Sequence, residues 1–163
     1  MTRLFLDAAD AADVEALAAL ERLCFTHPWS AVGFRQATSD PHRGAVVTLR
    51  VPWSDADPER GIRGYCAFQV VLDELHIHNL AIHPDLRRAG LGRWLVSRVV
   101  DFGVRRGART ALLEVRQSNW AALHLYRSVG FQAVSVRRDY YSRPREDALI
   151  LRKDNLEISR GAC

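Results

Sequence analysis

Cysteine, lysine and long apolar runs are all scarce in this chain, and each scarcity removes a class of function. The three cysteines, Cys24, Cys66 and Cys163, are odd in number and far apart, with no C-x-x-C pair. That spacing excludes a disulfide framework or a thiolate zinc site and predicts reduced thiols in a cytosolic protein. No apolar stretch reaches the length that spans a bilayer. The N-terminus, "MTRLFLDAADAAD", turns acidic too early for a secretory signal, so the sequence reads as cytoplasmic, with no membrane partner. Lys153 is the only lysine among 23 basic residues. A phosphate loop of the G-x-x-x-x-G-K-[ST] type therefore has no place in the chain. Nor is there a Cys/His finger or a basic stripe interleaved with aromatics, and no direct nucleic-acid binding is expected. Repeats and low-complexity tracts are absent as well.

What is present is an ordinary globular composition over 163 residues, 48% hydrophobic and 26% charged. This length predicts one domain, drawn here over residues 1–153, with a loosely ordered tail at 154–163. The net charge of +4 permits an anionic ligand without identifying one. "RLFLD" reads as a strand. Asp10 and Asp13 form a capping box before the helical pattern "AADVEALAALERLCF". "THPWS" breaks that helix, and Ser30 caps a second one. "GAVVTLRV" is a strand, and "PWSDADPERG" (Pro52 to Gly61) is a loop. "IRGYCAFQVVL" and "ELHIHNLAI" are strands joined by a tight turn near Asp73. Val96, Val99, Val100 and Val104 mark one face of a helix that Gly107 stops. "TALLEV" is a short strand, Asn119 opens another helix that Gly130 ends, and "FQAVSVRRDYY" and "DALILR" close the chain as an antiparallel pair.

Strand "LHIHNLAI", helix and strand "TALLEV" form a βαβ unit, so those two strands should run parallel. Short turns make the other strands antiparallel. The sum is an α/β (α+β) fold. Its mixed, mostly antiparallel sheet has six to seven strands, helices on both faces and one parallel pair. Ligands of open α/β sheets gather beyond the carboxyl ends of parallel strands. Two segments fall at such ends, "HPDLRRAGLGRWL" and "EVRQSN".

The first of these starts like a dinucleotide fingerprint at Gly90 and Gly92 but meets Leu95 where the third glycine belongs. What remains is Arg87-x-x-Gly90-x-Gly92 after a strand and at a helix start. Unpaired first-turn amides and the helix dipole favour an anion there, and Arg87, Arg88 and Arg93 add charge. A plain strand-to-helix turn with solvated arginines accounts for the same residues, and on the residues alone both readings stay open.

R-x-x-G-x-G after a strand, with "LEV…N…A…LY…GF" a helix later, resembles the GCN5-related N-acetyltransferase (GNAT) family. "HPWS", "VVLDE", "N-x-A-x-x-P", "LEVRQSN", "ALHLYRSVGF" and "RRDYY…REDA" are similar to its RimI branch, which acetylates the amino-terminal alanine of a small-subunit ribosomal protein. The resemblance covers about residues 4 to 152. It implies a GNAT acyl-CoA N-acyltransferase fold with a splayed parallel strand pair and acetyl-CoA as cosubstrate. It further implies a ribosomal protein N-terminus as peptide partner. It places the acetyl-CoA pyrophosphate on the loop Arg87, Arg88, Ala89, Gly90, Leu91, Gly92 and Arg93. The pantetheine falls along the backbone of Leu80, Ala81 and Ile82 and beside Asn119. The long Pro52–Gly61 loop and the run "LHIH" depart from the branch. The oligomeric state is not encoded legibly, and a monomer is the expectation.

Direct transfer of acetyl from a thioester needs a neutral amine, a donor for the carbonyl oxygen and a proton for the leaving thiolate. An α-amino group, with a pKa of roughly 7.7–8.0, is partly neutral near pH 7, whereas a lysine amine is about 2.5 units worse. One carboxylate is a sufficient base for the former. Glu114 sits among apolar neighbours in "LLEV", where a charge needs partners. It either accepts the proton, as the resemblance implies, or pairs with an arginine such as Arg116. Tyr126 is either a core aromatic or, by resemblance, the proton donor to the thiolate. Asn119 is an N-cap in any reading. His76 and His78 share a face of their strand. A metal site is not expected there, and His76 is held as the reserve base. Trp29, Tyr140 and Tyr141 are candidates to wall a peptide groove. The cysteines are set outside the chemistry. Other amines (lysine, polyamine, a small molecule) and a non-catalytic acyl-CoA sensor are the competing functions.

Overall fold

The computed structural model describes residues 3–39, 44–52, 54 and 56–158. Cys163 and the last five positions of the expected tail lie outside them. Seven strands and four α-helices follow one another as β1 (Phe5–Ala8), α1 (Val14–Cys24), α2 (Ala31–Ser39), β2 (Ala45–Arg50), β3 (Ile62–Val71), β4 (Glu74–Ile82), α3 (Leu91–Arg105), β5 (Thr110–Arg116), α4 (Trp120–Ser128), β6 (Gln132–Ser142) and β7 (Arg145–Lys153). The sheet order is β1-β2-β3-β4-β5-β7-β6. β4 and β5 run parallel, with Glu74 opposite Thr110 through Ile77 opposite Leu113. The pairs β1–β2, β2–β3, β5–β7 and β6–β7 are antiparallel. The mixed, mostly antiparallel sheet is therefore as the sequence predicts, at seven strands.

The described chain divides into two compact units. The first comprises residues 1–69 and 79–95, and the second 70–78 and 96–163. In the first, Asp10 caps a 3-10 turn at Ala11–Asp13. Its side chain takes the Ala12 N–H at 2.8 Å, and Asp13 takes the Asp10 N–H at 3.0 Å. α1 then buries Val14, Leu17, Ala18 and Leu20 against Phe34 of α2, Val46 of β2, Ile62, Tyr65 and Ala67 of β3, and Ala81 of β4. Asp13 is itself fully buried. It is neutralised by Arg50 at 2.5 Å and Arg60 at 2.8 Å, so a charge inside the core has two cationic partners.

In the second unit, the β3–β4 hairpin turns through Leu72 and Asp73. The Asp73 carbonyl accepts from the Arg109 N–H at 2.7 Å, which fixes where β5 starts. On the predicted face of α3, Val96, Val99 and Val100 are buried and Val104 is half-buried; Leu75, Ala111, Leu113, Val115, Leu151 and Phe131 are buried too. Of the expected tail, Leu156 is buried and donates its N–H to the Arg109 carbonyl at 3.0 Å. Between the strands read at "FQAVSVRRDYY" and "DALILR", the segment "SRPRE" is mostly strand rather than loop. Pairing runs to Ser142 opposite Arg145, leaving only Arg143 and Pro144 to turn. β6 is bulged, with register slips between Ala133 and Ser135 and between Arg137 and Tyr141, and Asp139 within the second adopts φ 51°. Arg145 grips the Asp139 carboxylate with two hydrogen bonds of 2.7 Å, and Asp147 takes the Asp139 N–H at 2.9 Å, so side chains hold the bulge in place.

Candidate active site

The first unit carries the end of β4 and the loop that follows. Gly64 of β3 makes this region compact, for a Cβ there would stand 2.9 Å from the Ala81 carbonyl oxygen and 2.8 Å from Ile82 Cδ1. Ala81 and Ile82 are buried, so their backbone is what the strand can offer a ligand. His83 donates its N–H to the Arg63 carbonyl at 2.8 Å, and Arg87 reaches back from Nε to the Ile82 carbonyl at 3.1 Å. The first bond ties the start of the loop to β3, and the second ties it to β4, the strand it leaves. Arg88 and Gly90 then adopt positive φ (63° and 79°) and turn the chain into α3. The helical ladder starts with Trp94 donating to the Gly90 carbonyl at 3.0 Å, so the Leu91 and Gly92 amides lie ahead of it, where a helix presents its positive end. A Cβ on Gly90 would meet nothing within 4 Å. The backbone is thus open to an approaching anion, and the residues fit a diphosphate. A depression of about 370 Å³ adjoins the loop, lined by Leu4, Ala89, Gly90, Leu91 and Trp94. From the sequence alone, Trp94 carries no assigned role.

Cys24 needs a correction. It does not stand apart from this region, since its Sγ lies 3.6 Å from the Ile82 carbonyl and beside Arg87. Burial raises its pKa despite the guanidinium, so it stays a thiol, as does the buried Cys66.

Behind the same strand lies a polar cluster that the sequence did not disclose. Glu21 is buried in α1 and collects three donors. They are the Trp29 N–H at 3.0 Å, the Asn79 amide at 2.8 Å, and the Tyr65 hydroxyl. Asn79 also donates to the Tyr65 oxygen at 2.8 Å, and its own carbonyl takes the Leu80 N–H at 3.1 Å. Burial raises the Glu21 pKa against the pull of those donors. The cluster pins the Trp29 segment to β4 one residue before Leu80. A glutamate between Leu20 and Arg22 gives no local sign of this, because its side-chain partners Tyr65 and Asn79 are 44 and 58 residues away.

The second unit holds the candidates for chemistry. β5 alternates, with Ala111, Leu113 and Val115 buried and Leu112, Glu114 and Arg116 on the other face. Glu114 is 29% exposed at its side chain and pairs with Arg137 of β6 at 2.6 Å. It also accepts from the Tyr140 hydroxyl, which raises the pKa of that phenol ahead of any effect of burial. The expected arginine partner, Arg116, is engaged elsewhere. It binds Glu146 at 3.2 Å and stacks on Tyr141 at 4.0 Å. A first register slip in β6, between Ala133 and Ser135, sets Ser135 opposite Ile150, the β7 partner of Glu114, with Arg137 two residues on; Tyr141, past the second slip, falls to Arg116.

Glu146 also takes the Ser118 N–H, and these contacts lower its pKa, the Ser118 bonds first. Asn119 follows and caps α4 by accepting the Ala122 N–H at 3.1 Å, as predicted. Tyr126 is 7% exposed, with its ring 5.6 Å from that of Phe131. His76, the reserve base, is bound to Glu74 at 2.9 Å, whereas His78 is the imidazole that feels the Glu114 charge. No cluster of three metal-ligating residues occurs among the described residues.

Comparison with known proteins bears on this arrangement. Residues 14–131 match the Acetyltransferase (GNAT) family. The chain is 34% identical over 148 residues to the [ribosomal protein bS18]-alanine N-acetyltransferase of Escherichia coli K12, covering 90% of this chain and 94% of that protein. It is 34% identical over 150 residues to N-alpha-acetyltransferase RimI of Mycobacterium tuberculosis, covering 88% of each. The crystal structure of the ribosomal-protein-S18-alanine N-acetyltransferase from Escherichia coli superposes with a TM-score of 0.80 at 31% identity, over 99% of both chains. No helix among the described residues is long and apolar enough to cross a membrane. The chain belongs to the GNAT family of acetyltransferases, enzymes that take their acetyl group from acetyl-CoA.

Proposed function

We propose that this enzyme acetylates the α-amino group of a protein N-terminus, and that its acceptor is the amino-terminal alanine of a small-subunit ribosomal protein. The Escherichia coli relative carries that acceptor in its name, and the Mycobacterium tuberculosis relative is named for N-alpha-acetylation, which supports the reading. The observation that carries the chemistry is Glu114, a single carboxylate on the polar face of a buried strand, oriented by Arg137 and Tyr140. An α-amine at pH 7 is on the order of a tenth neutral, so one oriented carboxylate, directly or through water, is base enough. A lysine acceptor would cost roughly 3.4 kcal/mol more in deprotonation. Such an acceptor in the ribosome would place the enzyme in the cytoplasm.

In this reading acetyl-CoA is held by backbone. The amides at the start of α3, with Arg87, Arg88 and Arg93, take the pyrophosphate along Ala89 to Gly92. Leu80, Ala81 and Ile82 pair with the pantetheine as an added strand would. An N–H of that segment is the donor for the carbonyl oxygen as negative charge grows on it. Glu114 receives the amine proton, Tyr126 protonates the departing thiolate, and Asn119 serves both as helix cap and as a pantetheine contact.

Thiol release from acetyl-CoA, followed with short peptides that differ in their first residue, tests the proposal. An alanine-first peptide should react fastest, and the same peptide blocked at its N-terminus but carrying an internal lysine should not react. Glu114→Gln should lower kcat by about 10²–10⁴ and leave acetyl-CoA affinity unchanged. Equal rates on blocked and free peptides would overturn the acceptor, and acetyl-CoA binding without turnover on any amine would overturn the activity.

A further inference from the structure

Acetylating an ammonium yields an amide, a thiol and one proton, and that proton must reach water before the next turnover. Glu114 is poorly placed to release it. Its carboxylate is about two-thirds covered, and Arg137 and Tyr140 already occupy part of its rim. The structure supplies a neighbour for this task. The parallel register sets Ile77 against Leu113, both buried. The next residue on each strand, His78 on β4 and Glu114 on β5, therefore lies on the opposite face, one step past the last paired position. The charge of Glu114 reaches His78, and so does the ring of His76.

That shared face carries Glu74 and His76 on β4, Glu114 and Arg116 on β5, and Arg137, Tyr140 and Tyr141 on β6. Most of these have partners: His76 binds Glu74, Arg116 binds Glu146, and Arg137 and Tyr140 hold Glu114. His78 has no hydrogen-bond partner among the described residues, and as a residue it is exposed.

We propose that His78 is the proton exit of the active site, taking the proton from Glu114, directly or across one water, and delivering it to solvent. The inference rests on Glu114 being the acceptor of the amine proton. Each step is a proton transfer that balances. The ammonium N–H bond breaks as the carboxyl O–H forms. That O–H breaks as an imidazole N–H forms, and the imidazolium returns to imidazole by losing its proton to water. Burial and the neighbouring His76 ring lower the His78 pKa, against the pull of Glu114. The ring is accordingly neutral at pH 7, with a nitrogen lone pair to receive the proton.

The test uses the full chain with acetyl-CoA and an alanine-first peptide. His78→Ala should lower kcat about tenfold or more, toward the smaller end of the scale for one acid–base group. Added imidazole should restore kcat in proportion to its concentration, while leaving the wild type and Glu114→Gln unchanged. His78→Gln, which keeps the bulk, should show the same loss with an unaltered KM for acetyl-CoA, which separates proton transfer from misfolding. Wild-type kcat in both variants from pH 6 to 9, or a loss that imidazole does not touch, would overturn the proposal. Failure of the Glu114 reading shows separately, as full turnover in Glu114→Gln.

Discussion

Gly64→Ala offers the sharpest test of how the end of β4 is held. The added Cβ would sit 2.8 Å from Ile82 Cδ1, 2.9 Å from the Ala81 carbonyl oxygen and 3.5 Å from Leu49 Cβ. The Ile82 methyl can rotate away. The Ala81 oxygen cannot, since it moves only with the strand. Restoring an ordinary carbon–oxygen separation requires β4 to shift by about 0.5 Å. Overpacking of this kind costs roughly 1–3 kcal/mol. Restricting the unfolded chain at this position returns about 0.4–1 kcal/mol. A net loss of about 1–2 kcal/mol is expected, read as a fall in Tm of roughly 2–8 °C for a chain of this length. The displaced segment is the one assigned to the pantetheine, so KM for acetyl-CoA should rise several-fold while kcat with saturating cosubstrate changes little. Gly103→Ala in α3 is the control. Its Cβ would meet only Leu75 side-chain atoms at 3.1 to 3.4 Å, and the helix gains about 1 kcal/mol from alanine, so it should be near neutral. If Gly64→Ala melts with the wild type and binds acetyl-CoA equally well, the close approach of β3 to β4 is not a constraint and the argument fails.

Asp13→Ala strips buried Arg50 of its nearest carboxylate and should cost about 3–5 kcal/mol, visible as a lower urea midpoint. Glu21 has a pKa raised in the folded state, so its contribution to stability is fullest below the unfolded carboxyl value and is lost as pH rises through the folded one. Wild type should therefore lose ground against Glu21→Gln between pH 4 and 7 in paired urea titrations; a constant gap would mean that Glu21 does not titrate in that range. Tyr126→Phe keeps the ring against Phe131 and should leave the unfolding free energy within about 0.5 kcal/mol of wild type. It should slow thiol release by about 10². An unchanged rate returns Tyr126 to the core.

Local signals were legible where one stretch of chain decides the outcome. The Asp10–Asp13 capping box, the Asn119 cap and the buried stripe of Val96, Val99 and Val100 each depend on residues within a turn or two, and each forms as read. The parallel β4–β5 pair was legible too, because a strand–helix–strand run leaves few alternatives. Pairings that depend on register were not. Arg116 is two residues from Glu114 in sequence and on the same strand face, which made it the natural partner. Its rival Arg137 reaches the carboxylate from another strand, in the register that β6 takes after it slips against β7 between Ala133 and Ser135, a slip that no local pattern announces. The alternation of β4 showed that His76 and His78 share a face. It could not say that the second, rather than the first, comes level with Glu114, since that is a property of two strands.

The same distinction explains why the two kinds of site residue differ in legibility. A phosphate cradle is made of consecutive backbone, so Arg87-x-x-Gly90-x-Gly92 announces it within six residues, and the positive φ of Gly90 follows from local geometry. A proton acceptor is made of side chains on separate strands, and its strength depends on who else binds it. Glu114 is useful as a base only to the extent that Arg137 and Tyr140 orient it without consuming it. One consequence is that substitutions in β6 should act on the chemistry through the bulge. Loosening Asp139 would let Tyr140, its neighbour in the bulge, drift from Glu114, changing the pH profile of turnover while the cradle, built from a different stretch of chain, keeps its grip on acetyl-CoA.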